Sequence, residues 1–484
     1  MNIQQIAARF SFCVLAGCTF AAAPTFAQTI THVPLTFEGD SVTGEISAPV
    51  SDAGDVNGDG FDDVIVRVFD GARVVARVLS GFDSGVLYNF SGDPPSNSFG
   101  SSLSGAGDVN GDGFDDLIFG NIGRGENFGG ARVRSGSDGS VLYDFDGDSF
   151  FGFFGSSVSG AGDVNGDGFD DLIVGAPLDN SNGSFSGRAQ VFSGVDGTVL
   201  HIFDGESDGD RFGWTVSGAG DVNGDGFDDL IIGSTFVDNN GNNSGSARVH
   251  SGLDGAVLYN FDGDSASDRF GDSVSGAGDV NGDGFDDLIV GASRDDNTGF
   301  SSGSARVFSG LDGSVLYNFD GDSAGDFFGE SVSGVGDVNG DGFDDLIVGA
   351  SNDDNNGSNS GSARVLSGSD GSVLYTFDGD SAGDLFGLSV SGAGDVNGDG
   401  VADFIVGAQD GGANDNGYAR LFVSQITAPI LGDCNQDGVV DFLDINPFIS
   451  ILSDNTFLEQ ADCNQDGVVN FLDIAPFIDI LTGN

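Results

Sequence analysis

The residues best suited to chemistry are oxygen donors repeated at fixed offsets. The string Gly-Asp-Val-Asn-Gly-Asp-Gly-Phe-Asp-Asp, or a close variant, occurs seven times. In the first copy Asp55, Asn57, Asp59, the main-chain carbonyl of Phe61, and Asp63 occupy positions 1, 3, 5, 7 and 9. The next copies offer Asp108, Asn110, Asp112, Phe114 and Asp116, then Asp163, Asn165, Asp167, Phe169 and Asp171, then Asp221, Asn223, Asp225, Phe227 and Asp229. They continue with Asp279, Asn281, Asp283, Phe285 and Asp287, with Asp337, Asn339, Asp341, Phe343 and Asp345, and with Asp395, Asn397, Asp399, Val401 and Asp403. Hard oxygen donors on a short flexible loop, with glycine at position 6 for the sharp turn, suit calcium. Magnesium demands tighter octahedral geometry, and zinc prefers the imidazole and thiolate ligands these loops lack. Asn-Gly and Asp-Gly also make simple hairpin turns, but a turn does not require the same oxygens at four offsets seven times. The loops hold no acid, base or nucleophile beside the metal position, so the sites read as structural.

Two further loops lie near the C-terminus. Asp433, Asn435, Asp437, Val439, Asp441 and Asp444 are repeated after 29 residues as Asp462, Asn464, Asp466, Val468, Asn470 and Asp473. Oxygens at positions 1, 3, 5, 9 and 12 with glycine at 6 follow the EF-hand loop, with aspartate in place of glutamate at 12. Each loop runs into a short apolar segment, 445–452 and 474–481, that can pack as a helix. Cys434 and Cys463 occupy position 2 of the two loops, and an even pair in an exported chain is compatible with a disulfide.

The elements that must position the seven loops follow from their spacing of 53, 55, 58, 58, 58 and 58 residues, the signature of a propeller or solenoid. One period, residues 270–322, reads as four short strands separated by turns. Leu-Ile-Val-Gly-Ala is continuously apolar, as a strand covered on both faces must be, while Ser-Ala-Arg-Val-Phe and Ser-Val-Leu-Tyr-Asn-Phe are rich in β-branched and aromatic residues. The reading is an all-β, seven-bladed propeller of four-stranded blades with a small helical C-terminal module. The last period ends at residues 417–424 without its fourth strand, and residues 32–41 match the missing strand. The N-terminal segment is therefore predicted to complete blade seven and remove two exposed sheet edges.

Phe-Gly pairs at Phe99-Gly100, Phe154-Gly155, Phe212-Gly213, Phe270-Gly271, Phe328-Gly329 and Phe386-Gly387, with Gly175-Ala176-Pro177, resemble the FG-GAP repeats of the integrin α-chain head. The resemblance covers residues 28–426; the first period departs from it, with Thr43-Gly44 at the Phe-Gly position. Residues 432–484 resemble a type I dockerin, which implies docking onto a cohesin-like partner. There Phe442-Leu443 and Phe471-Leu472 replace the small hydroxyl residues of many dockerins at loop positions 10 and 11. A linker, 427–431, separates the two regions.

Composition agrees. The net charge of -61 excludes electrostatic binding of nucleic acid. Only six of the 76 acidic residues are glutamate, and all 15 basic residues are arginine. Of the 70 aspartates, 34 fall in the nine loops, so metal chelation explains about half of the acidity. Residues 1–27, with Arg9, an apolar run and Thr25-Phe26-Ala27, read as a signal peptide. Leu15-Ala16-Gly17-Cys18 alternatively reads as a lipobox that would leave Cys18 lipidated. Either route exports the protein to a secreted or surface location. No later segment is long and apolar enough to span a membrane.

Two functions compete. One is a noncatalytic surface or matrix protein that binds a glycan or protein and is tethered by its C-terminal module; the other is a polysaccharide-degrading enzyme or cellulosome-like component. The sequence favours the first. It holds three histidines, His32, His201 and His250, no lysine, and no Gly-x-Ser-x-Gly or His-Glu-x-x-His. His250 reads as a packing or surface residue, and the single Trp214 as a blade-packing aromatic rather than a sugar platform. The face opposite the calcium loops, with its variable loops 178–186, 235–244, 293–302 and 351–360, is the expected recognition surface.

Overall fold

The computed structural model describes residues 29–38, 45–69, 73–92, 98–124, 128–409 and 417–427. The terminal calcium-loop pair, the helices expected beside it, Cys434 and Cys463, the expected leader and the Thr43-Gly44 pair lie outside the described residues.

The described residues form 28 strands in seven four-stranded antiparallel sheets. In the fifth blade these are β18 (Ser273–Gly278), β19 (Asp287–Ala292), β20 (Ser304–Phe308) and β21 (Val315–Asp320), paired in chain order. The second strand is buried along its whole length, as its unbroken apolar run requires. The fourth is only partly covered, with Val315, Asn318 and Asp320 exposed and Leu316, Tyr317 and Phe319 half-buried.

The hydrophobic core lies between blades. Ala219, Val222, Ile231 and Val249 of the fourth blade pack against Phe270, Val274, Leu288, Val290 and Phe308 of the fifth. The Phe-Gly pair serves this joint. Phe270 is buried there and bridges Gly245 of the preceding blade. Gly271 has φ +84°, and a Cβ on it would lie 2.3 Å from the Ser246 carbonyl oxygen. Only glycine permits both the conformation and the approach.

Closure follows the expected route. The order in blade seven is β1 (Thr29–Glu38), β28 (Tyr418–Thr427), β27 (Asp403–Ala408) and β26 (Phe386–Gly394). The strand thus starts three residues before His32 and ends at Glu38, short of the expected Ser41. Val50, Val64, Val66 and Leu79 of the first blade pack on Ala393, Val396, Ile405 and Leu421 of the last, which seals the ring.

Candidate metal centres and the opposite face

Each acidic loop joins the first and second strands of a blade. In the fifth, Asp279 Oδ1 accepts the N–H groups of Gly282 and Asp283 at 2.7 and 3.0 Å, and its Oδ2 accepts that of Gly284 at 2.9 Å. Asp283 Oδ1 accepts the Phe285 N–H at 3.1 Å. The first and fifth positions therefore fold the loop around its own backbone donors. Asp287, the ninth, begins β19 and is fully buried. It accepts from the backbone of Val280 at 3.1 Å and Gly310 at 2.9 Å, and from Asn281 Nδ2. The same burial holds for Asp63, Asp116, Asp171, Asp229, Asp345 and Asp403.

Burial pushes these seven carboxyls up to about 7, and nearby loop aspartates act in the same direction. Among the described residues no three His, Cys, Asp or Glu side chains form a metal-ligating cluster. Each donor set is instead mixed, drawing on asparagine and a main-chain carbonyl. A buried carboxylate beside two like charges is costly without a cation, so the chemistry of each set fits a hard cation. The seventh loop differs: Asn397 Nδ2 donates to the Ser424 carbonyl, and Ser424 Oγ to Asp399.

Two structural roles within the loops escaped the sequence reading. The aspartate at position 8 reaches the preceding blade: Asp115, Asp170, Asp228, Asp286, Asp344 and Asp62 accept the N–H groups of Asp55, Asp108, Asp163, Asp221, Asp279 and Asp395 at 2.7–2.9 Å. The phenylalanine at position 7, expected to contribute only its carbonyl, covers a glycine of the preceding loop. A Cβ on Gly224 would lie 2.5 Å from the Phe285 ring. Both contacts change at the joint between blades six and seven, where Val401 and Ala402 replace the pair. The doubled Asp-Asp and its exception were visible in the sequence; the partner across the joint was not.

Farther in, a channel cavity of about 510 Å³ is lined by Ser104, Ser217, Ser275, Ser333 and Ser391, with Asp62, Asp115 and Asp170. Asp52 stands there where the other blades have glycine, and burial pushes its carboxyl up to about 7.

The histidines are structural in placement. His250 is 5% exposed, packs on Phe203 at 4.0 Å between ring centroids, and is held by burial at a pKa of about 4. His201 Nε2 lies 2.7 Å from the Gly252 carbonyl oxygen, the position that Tyr88, Tyr143, Tyr259 and Tyr317 hydroxyls fill in other blades. His32 meets Tyr375 edge-on and Phe404 at a tilt, at 5.2 and 5.1 Å between ring centroids.

On the opposite face Trp214 packs edge-on against Phe236, at 5.8 Å between ring centroids, as a packing aromatic does. It is half-buried and also lines a cavity of about 570 Å³ with Phe153, Pro177, Leu178 and Arg211. The residue entering five of the six Phe-Gly turns is left-handed: Phe153, Arg211, Arg269, Phe327 and Leu385 have φ between 53° and 57°. Such positions cost on the order of 1–3 kcal/mol each. The side chains they present could have been read from the residues flanking the Phe-Gly pairs. The neighbouring loops are tied down; Asp295 is buried and accepts from Asn297 N and Ser304 Oγ.

The fold and loops together define a seven-bladed propeller with an acidic loop in every blade. Residues 154–192, 212–250, 270–308, 328–366 and 386–422 match the FG-GAP repeat, and residues 431–481 match the Dockerin type I domain. Five of the seven blades, the third to the seventh, are thus FG-GAP repeats, and the C-terminal region carries a dockerin type I domain. It is 35% identical to integrin alpha-5 of Xenopus laevis over 219 residues, 42% of this chain and 20% of that protein. It is 30% identical to integrin alpha-V of Gallus gallus over 203 residues, 38% of this chain and 20% of that one. The chain thus spans about one fifth of the length of these relatives. Repeats and dockerins of these types generally bind calcium and are typical of extracellular or cell-surface proteins. Among the described residues, no helix is long and apolar enough to cross a membrane.

Proposed function

We propose that this chain is an exported, noncatalytic, calcium-stabilised propeller that captures an extracellular glycan or protein on the face opposite its acidic loops. Its dockerin sequence would tether it to a cohesin-like partner. The carrying observation is the division of labour between faces. One face is committed to loop carboxylates that bind backbone donors and neighbouring blades, whereas the other presents left-handed turns around a cavity of about 570 Å³. A cavity of that size lies in the range of small-ligand sites.

The calcium ligands would be the aspartates at positions 1, 5 and 9, the asparagine at position 3 and the position-7 carbonyl of each blade loop, seven sites in all. Two more sites would lie in the terminal loops. Calcium supplies the positive charge that the buried position-9 carboxylates require.

The test is a glycan and protein array probed with the calcium-loaded full chain, with hydrolysis products monitored in parallel. Capture without turnover supports the reading. Product release would favour a polysaccharide-degrading enzyme, and absence of any capture would overturn the binding role.

A further inference from the structure

Three arginines distinguish the mouth of the ring. In a chain of net charge -61, Arg188, Arg306, Arg364 and Arg420 on the third strands of their blades each pair with a carboxylate at 2.5–2.7 Å. Arg211, Arg269 and Arg294 do not; among the described residues their close partners are aromatic rings. The Arg211 guanidinium lies 3.9 Å from the Phe236 ring centroid and 5.8 Å from that of Trp214. Arg269 lies 5.2 Å from Phe236, and Arg294 5.8 Å from Phe327. Burial holds Arg269 below its ordinary pKa; Asp272 opposes the shift, while Arg294 and Arg211 add to it. The three cations therefore share one neighbourhood. Asp272 and Glu330, the nearby acids, already accept the hydroxyls of Ser293, at 2.5 Å, and Ser351.

The adjoining cavity adds two other kinds of group. Trp214, with Phe153 and Pro177, gives it an apolar wall. Its remaining lining is rich in hydroxyls, and the buried Oγ atoms of Ser101 and Ser156 have no hydrogen-bond partner among the described residues. Unpartnered buried hydroxyls are unfavourable unless a ligand or water completes them.

We propose that this mouth binds a carboxylate-bearing saccharide, with the sugar carboxylate held by Arg211 and Arg269 and the ring laid on Trp214. A planar guanidinium matches a carboxylate through two parallel hydrogen bonds. The indole face suits the apolar face of a pyranose, and sugar hydroxyls both donate to and accept from the serine hydroxyls. An acidic peptide would satisfy the guanidinium groups but offers no ring of hydroxyls for the serines. At physiological salt the distant loop carboxylates are screened beyond about 8 Å, so the local arginines dominate.

The proposal deepens the ligand-binding reading and rests on it. Its test is calorimetric titration of the calcium-loaded full chain with trigalacturonic acid, with neutral galactotriose, and with a hexaglutamate peptide. The uronate trimer is expected to bind at least tenfold more tightly than either alternative. R211Q and W214A should each weaken it at least tenfold while leaving the calcium-dependent melting transition in place, and R420Q, at an ion pair whose arginine lies in blade seven, which contributes no residue to the cavity, should not weaken it. Equal binding of the neutral trimer, preference for the peptide, or uronate binding unchanged by R211Q and W214A would overturn the proposal. If the array finds a ligand whose capture survives R211Q and W214A, this assignment fails while the binding role stands; if nothing is captured, both fail.

Discussion

The joint between blades six and seven offers a gain-of-stability experiment. At five other joints and at ring closure, a position-8 aspartate accepts the N–H of the first aspartate in the preceding loop. At this joint the residue is Ala402, although the backbone is in place: Ala402 N donates to the Asp337 carbonyl at 3.3 Å, as Asp344 N does to Asp279 at 3.4 Å. A Cβ built on Gly336 would lie 2.9 Å from the Ala402 Cβ, matching the 3.0 Å from Gly278 to the Asp344 Cβ. Ala402→Asp should therefore aim its carboxylate at the Asp337 N–H. A hydrogen bond to a charged group contributes about 1.5–3 kcal/mol. The equivalent Asp344 shows the opposing cost, since burial and then Asp279 and Asp337 raise its pKa. A net gain of about 1 kcal/mol remains in calcium, where loop charge is neutralised. For an ordered ring of about 400 residues this raises Tm by roughly 1 °C. Asp170→Ala, which removes an existing contact to Asp108 at 2.9 Å, should lower it by a similar amount. Calorimetry of both variants at saturating calcium reads the signs. Shifts of the same sign, or none in either, would refute the idea that these carboxylates latch the blades.

Three other outcomes follow from the same framework. Chelation should lower the propeller's melting temperature cooperatively, because calcium at about ten times a site's dissociation constant stabilises the fold by roughly 1.4 kcal/mol per site; an unchanged calorimetric transition would contradict the metal assignment. Deleting residues 29–38 should expose the edge of β28 and open the ring, read as rapid proteolysis; retained resistance would show that the apolar contacts of blades one and seven close it alone. His250 is neutral in the fold, its pKa lowered to about 4 by burial, with Arg248 and His201 acting the same way against the Gly255 hydrogen bond. Its contribution is present above the unfolded value near 6.5 and is lost as pH falls toward 4, by about 3 kcal/mol at most. In calcium, His250→Phe, the residue type found at Phe192 and Phe308, should flatten the pH dependence of stability over that window; parallel profiles for the two proteins would contradict it.

Period and pattern made the ring legible in the sequence. Seven loops at near-constant spacing dictated seven blades, the continuous Leu-Ile-Val-Gly-Ala runs dictated buried second strands, and the unmatched residues before the first loop dictated closure by the N-terminus. These are local or periodic facts, carried by residue type and interval. What only the tertiary structure decided is what meets across a joint. Asp170 latching Asp108 and Phe285 covering Gly224 are contacts between residues about 60 positions apart in chain. The gathering of Arg211, Arg269 and Trp214 is of the same kind: each belongs to an unremarkable turn until ring curvature brings adjacent blades together at the channel mouth. Their charge and aromatic character were plain in the sequence, but their common neighbourhood depends on distances that composition and spacing do not encode.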